Sequence, residues 1–423
     1  MAITIQQAPA TLVTGFNDII YVVSSNNSSQ DNFQYICDIY ITDDTGALTH
    51  AGQSYLREKV PAEPTYSSGV FNVGRKIESF LKYDIGDDTY GSQKCANSII
   101  EIQLKFGEEY GPSSAITAYP NLTTASTIKA WNGIIDFPDI VDYAKAEFVN
   151  ASANSTSRML TDRPTSGTIR SDSNAWIYAV AEASNELKYM YVHTYNSSNN
   201  LLGSFKITNN FASITTTGRY MIRFPAGLRN LDLIPSADFD TSNFTVPPVS
   251  AGAVDHYEIF FANNNSQRVR ASQFYKIDSS CTDHDVYTLH FWNKLGGFDT
   301  VSFIRAHTQD TNVVKKDKYK RNMITRIGGG RYGYNKRDLS DVQFYTQAKD
   351  QYKIISDWFK EEDFTWLEEL ITSPVVFHDH PTHGLVPIII TDTKHTHKQW
   401  RTDGLSNLEV TFEYGFDKYR QRQ

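Results

Sequence analysis

The segment Tyr287–Phe303 constrains the fold of this chain most strongly, because its pattern predicts two aromatic strands joined by a tight turn. Gly296 and Gly297 stand at the turn, and glycine adopts positive φ at no steric cost, as a tight hairpin requires. Large apolar residues stand on both sides of the turn: Tyr287, Leu289 and Phe291 before it at strand spacing, and Phe298 directly after it, followed by Val301 and Phe303 at strand spacing. We interpret the segment as a structural hairpin defined by Trp292, Gly296, Gly297 and Phe298, with no catalytic pattern.

Length and composition favour a chain of several β-rich domains. With 423 residues, 40% of them hydrophobic and 21% charged, the chain is long enough for two or three folded domains. Aromatic residues make up 13%, which favours strands and large contact surfaces. We therefore predict a mainly β protein, with multi-domain β-sandwich or barrel modules and a small α+β C-terminal part. The predicted domains are an N-terminal domain over residues 1–145, an inserted β-sandwich rich in Ser, Thr and Asn over 146–255, and a C-terminal domain over 256–423.

Periodicity places the strands of the first two predicted domains. Every second residue from Phe33 to Ile41 is apolar, which predicts a strand with one buried face. Ser98–Phe106 predicts a second strong strand, and the region around Ile77 predicts one short helix. Polar turns separate the strands that we predict in the middle domain, which are Trp176–Val180, Leu187–Val192 and Tyr220–Phe224.

The last third of the chain combines one helix with strands. Acidic residues at Glu361–Asp363 suit the start of a helix through its dipole, and Trp366, Leu367 and Leu370 give it an apolar face. Pro374 ends this helix, since the residue before a proline avoids helical backbone. The strands predicted after it are Val375–Phe377, Val386–Ile390 and Leu408–Tyr414.

The chain lacks the patterns of secreted, membrane-spanning and cofactor-binding proteins. Cys37, Cys95 and Cys281 are odd in number and far apart, so we expect neither a disulfide framework nor a cysteine metal site. The N-terminus has no basic start followed by an apolar run, and no stretch approaches the length of a membrane span. The net charge of −8 argues against a surface that binds nucleic acid throughout. We predict no cofactor, no membrane contact and assembly in a reducing cytoplasm.

A basic segment, Lys315–Arg337, contrasts with the acidic remainder of the chain. It holds nine basic residues against one acid, a local charge of +8 that leaves −16 for the rest of a chain with a total of −8. The basic residues are Lys315, Lys316, Lys318, Lys320, Arg321, Arg326, Arg331, Lys336 and Arg337. Gly328–Gly330 lie inside the segment, but the Gly-Lys-Ser/Thr of a Walker loop does not follow them. We predict an arm that docks on the acidic surface of a neighbouring subunit, and the alternative is a channel loop that contacts DNA phosphates.

Histidines near the C-terminus are the candidate metal ligands of this sequence: His378, His380, His383, His395 and His397. His378 and His380 would share one face of a strand, and imidazoles in that arrangement can hold zinc. The alternative is an exposed loop marked by Pro381 and Gly384, where histidine is simply polar. The sequence has no HExxH, no three-ligand spacing and no Gly-x-Ser-x-Gly, so we predict neither a metal site nor an enzyme.

Several blocks of this sequence are similar to virion proteins of tailed phages that infect Bacteroidota, the crAss-like phages among them. The hairpin segment Phe291–Phe303 resembles a segment of these proteins, and Trp366–Pro374 resembles their late helix-stop-strand segment. Three further blocks are similar to their opening: Phe16–Val23, Phe33–Tyr40 and Gly69–Arg75. The resemblance therefore covers both ends and the centre of the chain, and the middle domain has no matching counterpart.

The resemblance implies a structural protein of the virion, in a tail ring, hub, baseplate or collar position. We expect a closed ring around the tail axis, because head-to-tail contacts between unlike patches close into rings when the rotation allows. The expected partners are further copies of this chain, neighbouring tail or portal proteins and, transiently, phage DNA. The expected location is the virion, assembled in the cytoplasm of the host bacterium.

A second hypothesis is a carbohydrate-binding module that recognises the host. Sandwiches rich in Tyr, Trp and Asn bind sugars when aromatic faces stack on the sugar ring and amides bond its hydroxyls. Trp131, Trp176 and Trp292 are the candidate residues. A row of exposed tryptophans on the middle domain would favour this function.

Overall fold

Strands dominate this protein, as the sequence predicts. The computed structural model describes residues 3–42, 53–86, 92–96, 98–118, 122–136, 148–149, 157–181, 186–209, 220–233, 252–280, 282–334, 340–392 and 405–422, without the side chains of 314–317, 344, 405 and 419–422. Strands account for 52% and helices for 7%, so the predicted mainly β class is confirmed. Among these residues, no helix has the length and apolar character needed to cross a membrane.

The N-terminal part of the chain forms two sheets. Its strands are β1 (Thr4–Gln7), β2 (Leu12–Thr14), β3 (Ile20–Ser24), β4 (Gln34–Thr42), β5 (Leu56–Pro61), β6 (Ser68–Asn72), β7 (Gln93–Lys94), β8 (Ile99–Tyr110), β9 (Thr117–Ala118), β10 (Thr123–Thr124) and β11 (Ile128–Trp131). The first sheet has the order β1-β3-β6, and the second has the order β2-β11-β8-β4-β5, with β9 and β10 beside β8; β7 belongs to neither of these sheets. Helix α1 (Gly74–Ile77) and a 3₁₀ turn (Glu78–Phe80) follow β6, which confirms the predicted short helix.

These two sheets pack face to face around an aromatic core. Tyr21 and Phe71, from the first sheet, each lie with their ring centroids 5.5 Å from that of Phe106 in the second. The alternating apolar residues from Phe33 to Ile41 are all buried, so the predicted buried face of β4 is confirmed. The N-terminal strands therefore form a β-sandwich, in which two inner faces share one core.

A second sandwich combines strands from the middle of the chain with strands on either side of it. Its further elements are β12 (Ser166–Arg170), β13 (Trp176–Ala181), β14 (Tyr189–Tyr195), β15 (Leu201–Thr208), β16 (Tyr220–Pro225), helix α2 (Leu228–Asp232), β17 (His256–Ala262) and β18 (Gln273–Asp278). One sheet has the order β12-β18-β17-β14-β15 and the other β13-β16-β7. The three middle strands predicted from the sequence are confirmed. Strand β7 comes from the predicted first domain, and β17 and β18 come from beyond residue 255.

The core of the second sandwich lies between its two sheets. Ile177 and Phe224 from one sheet, and Val192 and Phe261 from the other, belong to one cluster of buried side chains. The rings of Phe224 and Phe261 meet with centroids 5.1 Å apart. Helix α2 adds Leu228 to the same cluster. This continuous apolar core explains why strands from three regions of the sequence assemble here.

An ion pair lies fully buried beside this core. The side chains of Arg270 and Glu186 are 0% and 1% exposed, and Nη2 of Arg270 donates to Oε1 of Glu186 at 2.6 Å. The same guanidinium donates to the carbonyl oxygens of Val180 at 3.0 Å and of Val269 at 2.8 Å. Each charge therefore has a partner that offsets part of the cost of its removal from water.

The described chain divides into two compact units. Unit 1 comprises Met1–Ser279 with Phe291–Thr300, and unit 2 comprises Ser280–His290 with Val301–Gln423. The division crosses the hairpin of β19 (Tyr287–Trp292) and β20 (Phe298–Phe303), so that the turn end belongs to unit 1. The segment that most constrains the fold therefore supplies residues to both units.

The turn of this hairpin is buried inside unit 1. The indole Nε1 of Trp131 donates to the carbonyl oxygen of Leu295 at 3.1 Å, and the amide of Asn293 donates to the carbonyl oxygen of Leu160 at 2.9 Å. Gly296 has φ of +98°, a backbone conformation that favours glycine. Of the hairpin residues predicted from the sequence, Gly296, Gly297 and Phe298 are buried and Trp292 is half-buried. The turn thus contacts residues of the first sandwich and residues just before β12.

Replacing Gly296 by Ala is expected to lower the free energy of unfolding of unit 1 by about 2 kcal/mol, because φ there is positive and the added Cβ would meet Oδ1 of Asn132. Urea unfolding of the full chain measures the loss. Gly252→Ala is the control, since no described atom lies within 4 Å of a Cβ at that position. Equal stability of the two variants would contradict this account of the turn.

Unit 2 is built on one large sheet. Its further elements are β21 (Thr308–Lys320), β22 (Ile324–Gly328), β23 (Arg331–Tyr334), β24 (Asp341–Lys360), helix α3 (Glu361–Thr372), β25 (Val376–His380), β26 (Gly384–Ile390), β27 (Leu405–Tyr414) and β28 (Tyr419–Arg422). The sheet has the order β20-β19-β25-β26-β27-β24-β21, with β28 also paired to β24. Strands β22 and β23 pair separately with each other.

Helix α3 begins and ends where the sequence predicts. The side chain of Asp363 accepts a hydrogen bond from the backbone N–H of Lys360 at 3.1 Å, which caps the first turn. Its predicted apolar face is confirmed, since Trp366, Leu367 and Leu370 are buried. The chain leaves the helix at Ser373, directly before Pro374, in extended conformation. The predicted α+β character of the C-terminal part is therefore confirmed.

Candidate functional site

A long β-hairpin carries the basic segment of the sequence. Strands β21 and β24 pair in antiparallel register from Thr308 opposite Lys353 to Lys320 opposite Asp341. Strand β21 forms one edge of the unit 2 sheet, and β27 and β28 pair with β24 on its other side. At about 3.4 Å per residue, the paired part of β21 spans roughly 40 Å. We call this hairpin, from Thr308 to Lys353, the arm.

A second, smaller hairpin forms the end of the arm. Strands β22 and β23 pair from Ile324 opposite Tyr334 to Gly328 opposite Arg331. Gly328, Gly329 and Gly330 have φ values of +99°, +58° and +78°, so the chain reverses through left-handed backbone that glycine adopts without strain. The three glycines therefore form the turn of the hairpin between β22 and β23.

One face of this end hairpin presents two tyrosines, an isoleucine and an arginine. Tyr332 lies opposite Arg326 and Tyr334 lies opposite Ile324, and directly paired residues of two strands share a face. Tyr332 and Tyr334 are each 71% exposed, and Ile324 is 51% exposed. We call these four residues the tip face.

The tip face has the composition of a protein–protein contact. Tyrosine and arginine are enriched at the energetic centres of interfaces, because they combine a large apolar area with a polar or charged group. Within the described residues, no third strand pairs with β22 or β23. A two-stranded hairpin is marginally stable alone in water, so contact with another surface would stabilise the tip.

The predicted basic residues divide between the stem of the arm and its end. Lys318, Lys320, Arg321, Arg326 and Arg331 are exposed; Arg326 belongs to the tip face, Arg331 to β23, and the other three lie at the end of β21 or directly after it. Lys315 and Lys316 belong to β21, but their side chains lie outside the described part of the structure, as do Lys336 and Arg337 altogether. The five described residues keep their charges accessible to a partner, whether protein or nucleic acid.

Sequence reasoning found the basic charge of the arm but not the tip face. Tyr332 and Tyr334 follow the three glycines in the sequence. The available signal was the alternation of Ile324 with Arg326 before three glycines and of Tyr332 with Tyr334 after them, which is the pattern of a hairpin. That pattern gives the register, whereas the exposure of the four side chains depends on the rest of the fold.

Of the five candidate metal ligands, His378 and His380 belong to strand β25, and His383 lies exposed in the turn that follows it. His378 and His380 are side-by-side on β25, with ring centroids 5.5 Å apart, but His378 is 2% exposed. The alternative prediction of an exposed polar loop is therefore wrong for His378. Its Nδ1 lies 3.1 Å from the hydroxyl of Tyr414, and its ring stacks on Tyr287. Among the described residues, no three His, Cys, Asp or Glu side chains are placed to hold a metal ion, and His395 and His397 lie outside them.

The tryptophans proposed as a sugar platform do not form an exposed row. Trp131 is 0% exposed and Trp176 is 5% exposed, so neither indole face is available to a ligand. Trp292 is half-buried, and it contacts Phe16 and Tyr83 at centroid distances of 5.7 Å and 5.8 Å. These three residues therefore contribute to packing.

No protein-family model and no curated protein matches this sequence. Unit 2 carries the tip face, the basic stem of the arm and the histidines of β25. Of these, the tip face combines the largest exposed aromatic area with positive charge.

Proposed function

We propose that this chain is a structural subunit of a tailed-phage virion, a tail ring, hub, baseplate or collar protein that assembles around the tail axis. The tip face is the observation that supports this function most. Tyr332 and Tyr334 are 71% exposed on a hairpin at the end of a long arm, where a neighbouring subunit can cover them. The resemblance of several sequence blocks to phage virion proteins supplies the biological setting. The proposal assigns the chain no catalytic activity.

The charge distribution points to another copy of this chain as the occupant of the tip face. The segment 315–337 has a formal net charge of +8, and the remainder of the chain has a formal net charge of −16. Unlike charges on two patches of one molecule favour a head-to-tail contact, and such contacts close into a ring when the rotation allows. The tyrosines would supply the buried area of the contact, and the basic side chains around them would orient it.

The double variant Tyr332→Ser/Tyr334→Ser is expected to remain folded and to lose ring assembly. Two aromatic anchors at the centre of an interface contribute about 2–4 kcal/mol each, so their removal should weaken the contact by at least about a hundredfold. Native mass spectrometry and negative-stain imaging measure the oligomer. Arg326→Glu should weaken assembly as well, and its effect should diminish as salt is raised.

Tyr66→Ser is the matched control, because Tyr66 is an 81% exposed tyrosine of unit 1 outside the arm. It should leave the oligomer unchanged. A wild-type chain that stays monomeric even beside its virion neighbours would contradict the proposal. If the arm variants assemble normally and only retention of DNA fails, the arm is a channel element instead.

A further inference from the structure

A pocket of about 600 Å³ opens in unit 2, in a region that the arm proposal does not use. Its size falls within the range typical of small-molecule sites, roughly 300–1,000 Å³. Trp358 lines the pocket, and its side chain is 57% exposed. A large indole surface left open inside a concave site is unusual for a chain that buries Trp131 and Trp176, and it provides a flat apolar face for a ligand.

A β-bulge places Trp358 in this pocket. Between Ile355 and Trp358 the pairing of β24 with β27 shifts by one residue, so that Ser356 and Asp357 together oppose Leu408. The hydroxyl oxygen of Ser356 accepts a hydrogen bond from the backbone N–H of Leu408 at 2.8 Å. This bond gives the N–H of Leu408 a partner at the point where the bulge interrupts the strand pairing. A bulge of this kind redirects the side chains next to it. Here the bulge leaves Trp358 and Asp357 both at the pocket.

Polar side chains line the pocket together with the indole. Nη2 and Nε of Arg305 donate to the same oxygen, Oδ1 of Asp357, at 2.5 Å and 3.2 Å, and both side chains are about half exposed. Asn407 is exposed and lies directly opposite Trp358 on β27. Asp283 and His284 also line the pocket, as do the hydroxyl side chains of Ser280, Thr282 and Ser356. The pocket thus combines one aromatic face with amide, carboxylate and guanidinium groups on its border.

We propose that this pocket binds a neutral pyranose sugar. The apolar C–H face of the ring stacks on the indole of Trp358, and the hydroxyls at the ring edge bond to Asp357, Arg305 and Asn407. Carboxylate oxygens accept hydrogen bonds from hydroxyls, a guanidinium group donates hydrogen bonds to hydroxyls, and an amide can do both. These three side chains therefore match a sugar, because each of its hydroxyls both donates and accepts hydrogen bonds. The pair Arg305–Asp357 is held in place before binding, which reduces the entropy lost in ordering it.

The charge of the lining favours an uncharged ligand over an ionic one. Arg305 is balanced by Asp357, and Asp283 adds a second carboxylate to the lining. A phosphate or carboxylate ligand would meet two aspartates for a single arginine. A cationic amine would gain from Trp358 and Asp283 but would compete with Arg305 for Asp357. This site differs in location from the three tryptophans proposed from the sequence, and it does not depend on ring assembly.

Saturation-transfer NMR of the full chain with a panel of neutral disaccharides tests the proposal. The panel comprises maltose, cellobiose, lactose and N,N′-diacetylchitobiose at millimolar concentration. At least one is expected to bind, with contact through its ring C–H protons. Trp358→Ala should weaken that binding by at least about tenfold, and Trp358→Phe should retain part of it, because a smaller ring still offers a face. Asp357→Asn should weaken it by about tenfold while preserving the shape of the site.

The variant Tyr332→Ser/Tyr334→Ser is the control for this site, since it removes exposed aromatic rings of the same unit outside the pocket. It should bind the sugar as the wild type does, and Trp358→Ala should assemble as the wild type does. The two proposals can therefore fail separately. Absence of binding by every sugar in the panel, binding that survives Trp358→Ala, or preferential binding of a tetramethylammonium probe would each overturn the pyranose site.

Discussion

Replacing Glu186 by Leu is expected to lower the free energy of unfolding of unit 1 by about 3–5 kcal/mol, because it leaves the guanidinium of Arg270 buried without an opposite charge. The side chain of Arg270 is 0% exposed, so water cannot replace the carboxylate. Urea unfolding gives the size of the loss. Hydrogen exchange of peptides from β13 and β17 shows whether the loss of stability occurs in the second sandwich.

The double variant Glu186→Leu/Arg270→Met should recover most of this loss. Apolar side chains of similar volume avoid the cost of removing two charges from water, so replacing both partners is often close to neutral. Asp136→Ala is the control, because it removes one carboxylate, 56% exposed, that pairs with Lys294. Lys294 retains its other ion pair, with Asp162 at 2.7 Å. A double variant as unstable as Glu186→Leu alone would mean that shape, and not the unpaired charge, accounts for the loss.

Acidification from about pH 7 to about pH 4 is expected to destabilise unit 2 through His378. Burial, with smaller contributions from nearby His380 and His290, lowers the pKa of His378 to about 4, and Asp379 opposes this shift only in part. In the unfolded chain the pKa is about 6.5, so between these two values the unfolded state binds the extra proton and stability falls as pH falls. The full loss is about 3 kcal/mol, since each pKa unit corresponds to about 1.4 kcal/mol.

His378→Phe isolates this contribution from the carboxylates that titrate over the same range. Phenylalanine keeps a ring next to Tyr287 and cannot take a proton, so the stability of the variant should depend less steeply on pH than that of the wild type. Urea unfolding at several pH values, followed by hydrogen exchange of β25, measures the two slopes. Parallel curves for the two proteins would show that His378 does not titrate at this depressed pKa.

Local patterns in the sequence determined the class of the fold and many of its elements. The alternation from Phe33 to Ile41, the acidic start at Glu361–Asp363 and the stop at Pro374 each act over a few residues, through side-chain direction, the helix dipole and steric exclusion. Each of these effects depends only on neighbouring residues, so the buried face of β4 and the ends of α3 can be predicted from the local sequence. The excess of positive charge in Lys315–Arg337 is equally a property of composition.

Pairing between distant strands was decided only by the tertiary structure. Strand β12 lies parallel to β18, with Ser166 opposite Phe274, and Gln93–Lys94 joins a sheet whose other strands begin beyond residue 175. Periodicity states which face of a strand is apolar but not which apolar face it will meet. That choice depends on the shape and volume of the whole core, which no short window of sequence contains.

The candidate sites show the same division. Sequence alone determined the charge of the arm and the presence of tyrosines near its glycines. It could not distinguish Trp358, which is exposed at a pocket, from Trp131 and Trp176, which are buried, because a tryptophan has the same local signature in both settings. The exposure of Trp358 results from a bulge between β24 and β27 and from the side chains that those strands bring together, so only the folded sheet decides it.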